Sequence, residues 1–252
     1  MNYTQAKAII SGGASGLGFA TAKSIIDQGG KVALLDINAE QGQKAVESLG
    51  ANAIFIQTDI SNEADVDSAA DQAAKFMGGI NLAVGCAGVL GAGLIHSKRG
   101  PMPADYFQNV VNINLVGSFL LTRAASRHMQ NNEALKGERG VIIHTASIAA
   151  YEGQVGQTAY SATKSAIVGM VLPLAREFAR IGVRVMAVAP GVFETPMMEK
   201  ITPEICEQIA AGIPNPSRFG KPEEFAQTVQ HIFENEYLNG TTIRLDAAAR
   251  LQ

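Results

Sequence analysis

The sequence is poor in the residues that build metal sites and cross-links. Its 252 residues include no tryptophan, four histidines and two cysteines, and the cysteines, Cys86 and Cys206, lie far apart. Neither residue type shows the spacing of metal ligands, so we expect no bound metal. Two isolated cysteines are typical of buried thiols in a reducing compartment.

The sequence also lacks blocks of like charge and long apolar runs. The formal net charge is −3 and the charged residues are scattered, which argues against the basic surface of a nucleic-acid-binding protein. No apolar run approaches the length of a membrane span. The first residues, MNYTQAKAIIS, show no basic region followed by a long apolar stretch. We therefore expect a soluble, intracellular protein with no membrane and no nucleic-acid partner.

Short apolar runs rich in β-forming residues alternate with longer amphipathic segments. This alternation predicts an α/β fold, a single doubly wound parallel sheet of seven strands with helices on both faces. With no repeat, linker or low-complexity tract, residues 1–252 are expected to form one domain. The predicted strands are 7–11, 31–36, 53–59, 81–88, 140–147, 183–190 and 241–246, and the main predicted helices are about 17–28, 39–49, 62–77, 104–130 and 156–180.

The segment SGGASGLG, residues 11–18, joins the first strand to the first helix. Ligands of such sheets bind beyond the carboxyl ends of the strands, where this turn lies. Gly12, Gly16 and Gly18 permit a tight turn and a close approach of backbone to phosphate, and the helix N-terminus supplies free N–H groups. A structural turn could carry the same glycines, and the spacing is GxxxGxG rather than the more common GxGxxG. The position in the first βα unit favours nucleotide binding.

Two aspartates end the next two strands. Asp36 could accept hydrogen bonds from the adenosine ribose hydroxyls and would repel a 2′-phosphate. Since neither the glycine loop nor the residues just after Asp36 supply Arg or Lys, NAD is favoured over NADP; a helix N-cap is the alternative for Asp36. Asp59 could bond the adenine amino group, with an N-cap at Asp59 or Ser61 as the alternative. Small residues, GCAG at 85–88, end the fourth strand where backbone would pack against a cofactor.

Tyr160 and Lys164 are four residues apart in the helix-like segment GQTAYSATKSAIVGM, so their side chains share a face. An unperturbed phenol has a pKa of about 10, and a nearby ammonium and a cationic nicotinamide ring would favour phenolate. With Ser147 at the end of the fifth strand holding the same oxygen, Tyr160 could take a proton from a hydroxyl. Alone, the pair is better explained by an ordinary surface contact on a helix. Together with the glycine loop and Asp36, it indicates an acid/base site.

These motifs resemble the short-chain dehydrogenase/reductase family over nearly the whole chain. The resemblance implies a Rossmann fold and NAD(P)-dependent redox chemistry at an alcohol or carbonyl. It further implies that Tyr160 is the acid/base, that Ser147 orients the substrate oxygen, and that Lys164 lowers the Tyr160 pKa and holds the nicotinamide ribose. The motifs that carry it are SGGASGLG, GCAG, Asn114, Ser147, YSATK at 160–164 and Pro190-Gly191.

Further roles and some departures follow from the same resemblance. Asn114, in NLVG, would hold a water in a proton relay, and Pro190, Gly191 and Thr195 match the segment that contacts the nicotinamide carboxamide. Ser11 stands where threonine is usual, and GCAG replaces the more common Asn-Asn-Ala-Gly. LDAAAR replaces a common glycine pair after the last strand, which leaves the contacts there open.

A closer resemblance is to the type II 3-hydroxyacyl-CoA dehydrogenases, which include a multifunctional hydroxysteroid-oxidising form. It is carried by GVIIHTASIAAYEGQVGQTAYSATKSAIVGM, RVMAVAPGVFETP, NPSRFGKPEEFA, NGTTIRLD and SGGASGLGFATA. It implies a short or 2-methyl-branched acyl-CoA as substrate, fatty-acid metabolism and a homotetramer. Family members occur in bacterial cytoplasm and in mitochondria, and the short N-terminus favours the cytoplasm. Gln154 and Gln157 flank the catalytic mouth, where they could bond a thioester carbonyl. The cofactor contacts implied are Ser15, Leu17, Asp36, Asp59, Ile60, Cys86, Tyr160, Lys164 and Phe193; the motifs add Gly12, Gly16, Gly18, Ala87, Gly88, Pro190, Gly191 and Thr195.

Three further features allow two interpretations each. The segment 193–213 carries apolar residues near helical spacing and is either a substrate lid over an acyl chain or an ordinary core-facing helix. Lys98 and Arg99, in the loop 89–103, either meet the phosphates of coenzyme A or face solvent. His144, inside the fifth strand, is expected to be structural rather than catalytic. The apolar residues of the predicted lid are Met197, Met198, Ile201, Ile205 and Ile209.

The sequence leaves three functions open. The first is an NAD-dependent oxidation of a 3-hydroxyacyl-CoA. The second is a hydroxysteroid or general secondary-alcohol dehydrogenase with the same residues. The third is a non-catalytic NAD-sensing protein, since a fold does not fix a function; the intact set of Asn114, Ser147, Tyr160 and Lys164 argues against it.

Overall fold

The computed structural model describes residues 1–98, 100–198 and 202–251. Its main sheet has seven parallel strands, as predicted, and a separate antiparallel hairpin has two short ones. The strands are β1 (Lys7–Ser11), β2 (Lys31–Asp36), β3 (Ala53–Gln57), β4 (Leu82–Gly85), β5 (His96–Ser97), β6 (Gly100–Pro101), β7 (Gly140–Thr145), β8 (Val183–Pro190) and β9 (Thr242–Leu245).

Helices cover both faces of the sheet, and a π-helical turn joins the fourth to the fifth. They are α1 (Gly16–Asp27), α2 (Ala39–Leu49), α3 (Glu63–Met77), α4 (Ala104–Val111), the π turn Asn112–Val116, α5 (Gly117–Met129), α6 (Thr158–Phe178), α7 (Pro203–Ala211) and α8 (Pro222–Glu234). Short 3-10 turns are Tyr3–Gln5, Ile148–Ala150, Ala179–Ile181 and Pro196–Met198.

The sheet order is β3-β2-β1-β4-β7-β8-β9. The chain first builds outward from β1 to β3 and then returns to place β4 on the other side of β1. The two neighbours β1 and β4 therefore form the switch point, where the crevice at the carboxyl edge is expected to bind ligands. The predicted α/β class, strand number and parallel pairing are confirmed.

The predicted strands run too long at their carboxyl ends. The structure ends β3 at Gln57, β4 at Gly85 and β7 at Thr145, whereas the sequence pattern extends each by two or three residues. The first residue beyond each end, Thr58, Cys86 or Ala146, still donates its backbone N–H to the neighbouring strand, and the residues that follow line the crevice. The predicted helix 104–130 is interrupted by the π turn, and the hairpin β5–β6 and the helix α8 were not predicted.

Two apolar cores lie on opposite faces of the sheet. Successive strand side chains point to opposite faces, so Ile9 packs with α3, α5 and α6, whereas Ile10 packs with α1 and α8. Every residue of β8 is buried, as expected for a strand covered on both faces. Among the described residues, no helix is both long enough and apolar enough to span a bilayer.

Arg184, buried in β8, joins the sheet to α8. Its guanidinium donates to the Glu138 carboxylate and, at 2.8–2.9 Å, to the backbone carbonyls of Ile232, Phe233 and Leu238. The last carbonyls of a helix have no partner within the helix, so Arg184 satisfies them while pairing with Glu138. It thereby fixes β8, whose carboxyl end reaches the crevice.

Replacing Arg184 by leucine should lower the free energy of unfolding by about 3–5 kcal/mol, because the buried Glu138 carboxylate would lose its hydrogen-bonded partner and keep only the N-terminal ammonium of Met1, 3.6 Å away. Lys23→Leu is the matched control: it removes an exposed pair with Asp27, of 2.7 Å, and should cost about 0.5 kcal/mol or less. Urea unfolding followed by circular dichroism measures both. Equal losses in the two variants would contradict the argument from burial.

Candidate active site

One cavity of about 640 Å³ lies at the carboxyl edge of the sheet. Residues from the ends of β1, β2, β4, β7 and β8 form its wall together with the start of α6. The structure thus brings together nearly all of the predicted site, from both halves of the chain. The predicted residues that line the cavity are Gly12, Ser15, Gly16, Leu17, Gly18, Asp36, Asp59, Ile60, Cys86, Ala87, Gly88, Ser147, Gln154, Gln157, Tyr160, Lys164, Pro190, Gly191, Phe193 and Thr195.

The glycine loop is shaped by two close backbone approaches. Gly12 has a φ of +64°, and a Cβ on it would lie 2.7 Å from the Ala87 nitrogen; a Cβ on Gly18 would lie 2.3 Å from the Gly12 oxygen. Both positions therefore require glycine. Ser15, the N-cap of α1, makes no side-chain hydrogen bond to the helix. The first N–H groups of α1 and the Ser15 hydroxyl are thus available to an anion.

Asp36 supports the glycine loop from the end of β2. Its Oδ2 accepts from the Ala14 N–H at 3.2 Å and its Oδ1 from the Asn38 N–H at 3.1 Å. The N-cap of α2 is Asn38, whose side chain accepts from the Gln41 N–H at 3.0 Å. The N-cap alternative for Asp36 is therefore wrong, and the carboxylate stands at the cavity wall.

Asp59 is likewise not an N-cap. Its Oδ1 accepts from the N–H and the hydroxyl of Ser61, at 2.9 and 2.7 Å. The N-cap of α3 is Asn62, which accepts from the Ala64 N–H at 3.0 Å. The N-cap alternatives at Asp59 and Ser61 are both wrong, because α3 starts at Glu63, which is one residue later than an N-cap at Ser61 would require and three residues later than an N-cap at Asp59 would require.

Lys164 is buried at the base of the cavity. Its ammonium donates to the backbone carbonyl of Thr145 at 2.6 Å. Burial lowers the pKa of this ammonium to about 8. The Nζ atom lies 5.6 Å from the centre of the Tyr160 ring. The helical pair predicted from the sequence is therefore present, but its cation bonds to the backbone.

The Tyr160 phenol is hydrogen-bonded to Ser147. Burial raises the pKa of Tyr160 above its ordinary value, and the bond to Ser147 opposes this only in part. Tyr160 is thus a protonated phenol at neutral pH. The predicted lowering of the Tyr160 pKa by Lys164 stays a prediction.

Cys86 lines the cavity, His144 is buried in β7, and both are uncharged at neutral pH. Burial raises the pKa of Cys86 to about 11, against smaller effects of the Thr145 hydroxyl, 3.5 Å away, and of Lys164. Burial, reinforced by repulsion from Lys164, lowers the pKa of His144 to about 4. The His144 Nε2 lies 2.9 Å from the Thr122 hydroxyl. This buried contact supports the structural role predicted for His144.

Asn114 is fully buried in the π turn and does not line the cavity. Its Oδ1 accepts from the Val89 N–H at 2.8 Å, and its Nδ2 donates to the Val89 carbonyl and the Thr163 hydroxyl at 3.0 and 3.2 Å. Both amide hydrogens are therefore used. The side chain connects the loop after β4 to α6, and the predicted role in holding a water stays a prediction.

The segment after β8 closes one side of the cavity. A Cβ on Gly191 would lie 3.0 Å from the Asp246 Cα, and a Cβ on Gly16 would lie 3.4 Å from Thr195. Within the predicted lid, Met198 and Ile209 line the cavity whereas Ile205 is exposed. Ile201 and the side chain of Met197 lie outside the described part of the chain. The lid itself stays a prediction.

Several residues of the cavity wall were not predicted from the sequence. Thr145 acts through a backbone carbonyl, which no side-chain pattern reveals, and Leu251 belongs to no motif. The side chains of Gln154 and Gln157 bond to each other at 3.3 Å. Lys98 is exposed and Arg99 lies outside the described residues, so their contact with coenzyme A stays a prediction. The unpredicted wall residues include Leu35, Ile37, Thr58, Val89, Leu90, Ile113, Thr145, Ala146, Ile148, Ala149, Val192, Pro196 and Leu251.

A family model described as short chain dehydrogenase matches residues 6–205. The chain belongs to the short chain dehydrogenase family. Members of this family are oxidoreductases that use nicotinamide cofactors, and the chain is accordingly an oxidoreductase with a Rossmann fold.

Similar relatives within the short chain dehydrogenase family extend the match to nearly the full length. The 3-hydroxyacyl-CoA dehydrogenase type-2 of Homo sapiens is 46% identical over 97% of this chain and 95% of its own, and that of Drosophila melanogaster is 42% identical over 98% of each. The crystal structure of 3-hydroxyacyl-CoA dehydrogenase type-2 from Mycobacterium avium superposes with a TM-score of 0.94 at 37% identity, covering 99% of this chain and 98% of that one. The predicted resemblance to these dehydrogenases is confirmed.

The buried Lys164 should make the fold more stable as the pH rises from 8 to 9. Its folded pKa of about 8 lies below the unfolded value, so the unfolded chain binds more protons in this interval and stability increases, by at most about 1.4 kcal/mol per pH unit. Denaturant unfolding at several pH values in this interval measures the slope.

Lys164→Met should lose this increase, whereas the exposed control Lys31→Met should keep it. Cys86 contributes a slope of opposite sign in all three proteins, because its raised pKa favours the folded state at lower pH. The difference between Lys164→Met and the wild type therefore isolates the lysine. Identical slopes in the two proteins would refute the assignment.

Proposed function

We propose that this protein catalyses the reversible, NAD-dependent oxidation of a short or 2-methyl-branched 3-hydroxyacyl-CoA to the 3-oxoacyl-CoA. The proposal rests on the observation that Ser147, Tyr160 and Lys164 line the same cavity as the glycine loop. The choice of an acyl thioester is supported by the relatives named 3-hydroxyacyl-CoA dehydrogenase type-2, which match nearly the full chain.

The residues present fit a dinucleotide. Because Gly12 and Gly18 have no side chains to fill the space around the loop, its backbone can approach a dinucleotide closely. The start of α1 offers free N–H groups to the pyrophosphate. Asp36 would hold the adenosine ribose, and Lys164 the nicotinamide ribose. When bound, the oxidised dinucleotide supplies a hydride acceptor and a positively charged ring.

Tyr160 moves the proton. In the oxidation its phenolate takes the proton of the substrate hydroxyl, and in the reduction its phenol returns that proton to the carbonyl oxygen. Ser147, already bonded to the phenol, holds the same substrate oxygen. Because burial raises the pKa of Tyr160, the acid form dominates at neutral pH, and the oxidation should quicken as the pH rises.

The preference for NAD over NADP rests on Asp36. A carboxylate at the end of β2 accepts from ribose hydroxyls but repels a phosphate on the same carbon. Ile37, the next residue, is 67% exposed and carries no charge. A 2′-phosphate would therefore meet a negative group and an apolar one.

Two alternatives use the same structure. A hydroxysteroid or general secondary-alcohol dehydrogenase would need the same Ser147 and Tyr160, and the apolar wall residues Leu90, Met198 and Ile209 suit a steroid as well as an acyl chain. A non-catalytic NAD-sensing protein would not need the bond between Ser147 and Tyr160.

A substrate panel tests the proposed function. We expect kcat/KM with NAD to be higher for 3-hydroxybutyryl-CoA and its 2-methyl analogue than for a hydroxysteroid or a simple secondary alcohol. Tyr160→Phe should reduce turnover by about 100-fold or more, as loss of a general acid/base does, while NADH still binds, as measured by fluorescence.

The other outcomes of the panel are equally decisive. A higher kcat/KM for the steroid would replace the acyl-CoA assignment with the first alternative. Tight NADH binding with no turnover of any alcohol or ketone would favour the sensing protein. A Tyr160→Phe variant with near-normal rates would refute the assigned proton transfer.

Asp36→Ala should relax the discrimination between NAD and NADP, because the repulsion of the 2′-phosphate is removed. Initial rates with each dinucleotide give the ratio of kcat/KM, which should move toward NADP by about tenfold, as for one close charge contact. Glu40→Ala, which removes an exposed carboxylate of α2 paired with Lys44, is the control. If the ratio stays unchanged in Asp36→Ala, the ribose assignment fails.

We also propose a homotetramer and a cytoplasmic location, as expected from the sequence. Phe119 on α5 and Leu172 on α6 are exposed apolar residues, as suits helices that pack against other copies. Light scattering after gel filtration determines the assembly.

A further inference from the structure

Leu251 reaches the cavity wall through a turn that follows β9. In this turn Ala247 and Ala248 have φ values of +49° and +61°, which are unfavourable for residues with a Cβ. The Asp246 carboxylate accepts from the Ala248 N–H at 3.0 Å, and its carbonyl accepts from the Ala249 N–H at 2.8 Å. These two hydrogen bonds stabilise a backbone conformation that is strained for alanine and that glycine would adopt without strain.

Glu152 connects this segment to the loop between Ser147 and Tyr160. Its two carboxylate oxygens accept from both terminal nitrogens of Arg244, at 2.9 and 3.0 Å, a bidentate geometry that fixes orientation. The Leu251 backbone N–H donates to the same carboxylate. Glu152, in the loop that carries Gln154 and Gln157, thus accepts hydrogen bonds from Arg244 and from the Leu251 backbone.

Arg250 and Asp246 complete the cluster. The Arg250 side chain lies 3.4 Å from Glu152 and 3.2 Å from Asp246, and Asp246 also pairs with Arg244 at 2.7 Å. The Arg244 guanidinium stacks over the ring of Tyr151, 5.0 Å from its centre. Two arginines and two carboxylates therefore hold residues 246–251 against the loop after β7.

We propose that Leu251 is a specificity-determining residue for the apolar chain of the substrate, and that Glu152 and Arg250 are positioning residues that hold it at the cavity wall. Leu251, an uncharged residue with a branched side chain, lines the same cavity as Ser147, Gln154 and Tyr160, and its backbone bond to Glu152 places it beside the loop that carries Gln154. An acyl chain that extends from the reacting carbon past this wall meets that side chain. The inference deepens the proposed function and rests on it.

The test compares two acyl chain lengths. In Leu251→Ala, the ratio of kcat/KM for 3-hydroxyoctanoyl-CoA over 3-hydroxybutyryl-CoA should rise by about tenfold, the size of effect expected from one or two methylenes in an apolar pocket. The Kd of NADH should not change. Arg250→Ala should shift the ratio in the same direction, although Arg250 itself does not line the cavity, and Arg250→Lys should restore part of the original ratio.

Arg123→Ala is the matched control, since Arg123 also pairs with two carboxylates, Glu63 and Asp67, but lies outside the cavity wall; its ratio should stay that of the wild type. An unchanged ratio in Leu251→Ala, or an equal loss on both substrates, overturns the inference. If the wild-type protein turns over no 3-hydroxyacyl-CoA, the proposed function fails. The inference is then decided with a short and a long straight-chain secondary alcohol, where an unchanged ratio in Leu251→Ala overturns it.

Discussion

The hydrogen bond from the Lys164 ammonium to the Thr145 carbonyl, at 2.6 Å, is the contact on which the site depends. It ties the helix that carries Tyr160 to the end of the strand that leads to Ser147. A carbonyl that leaves a sheet ladder needs a donor, and here the donor is a charged side chain reaching in from α6. One bond therefore satisfies the end of a strand, fixes the rotation of a helix and brings the reacting groups to the same wall.

Burial favours the neutral forms of the titratable groups at the site. It raises the pKa of Tyr160 and of Cys86 and lowers that of Lys164 and of His144, so each group moves toward its neutral form. The common cause is loss of water rather than pairing of charges. In such surroundings, a charge brought in by a ligand acts over a longer distance than it would at the surface. Tyr160 therefore keeps its proton until a bound molecule brings a charge close to it.

The strands and their parallel pairing were predictable because a strand that is buried on both faces consists of an unbroken apolar run, which is visible in the sequence. The glycine loop was predictable for a similar reason, since backbone contacts at Gly12 and Gly18 exclude any other residue. The ends of the strands were not, because a residue such as Thr145 looks equally suited to a strand and to a turn. Propensity could not choose between Asp36 and Asn38 as N-cap, since both side chains can accept the same bond and only the path of the chain decides.

Other features leave no local pattern at all. The direction of the Tyr160 pKa depends on burial and on where the Lys164 ammonium points, neither of which follows from a spacing of four residues. Leu251 reaches the wall through ion pairs between segments almost a hundred residues apart. Contacts of this kind can be found only once the chain has been placed in three dimensions.

The double use of Asp36 has an evolutionary consequence. The carboxylate that faces the predicted ribose site also accepts from the Ala14 N–H, so the shape of the glycine loop and the choice of dinucleotide share one side chain. A lineage that came to depend on the phosphorylated dinucleotide would have to replace this anchor of the loop as well as admit the phosphate. Divergence in that direction would therefore require at least two coordinated substitutions, with a loosened phosphate loop as the intermediate.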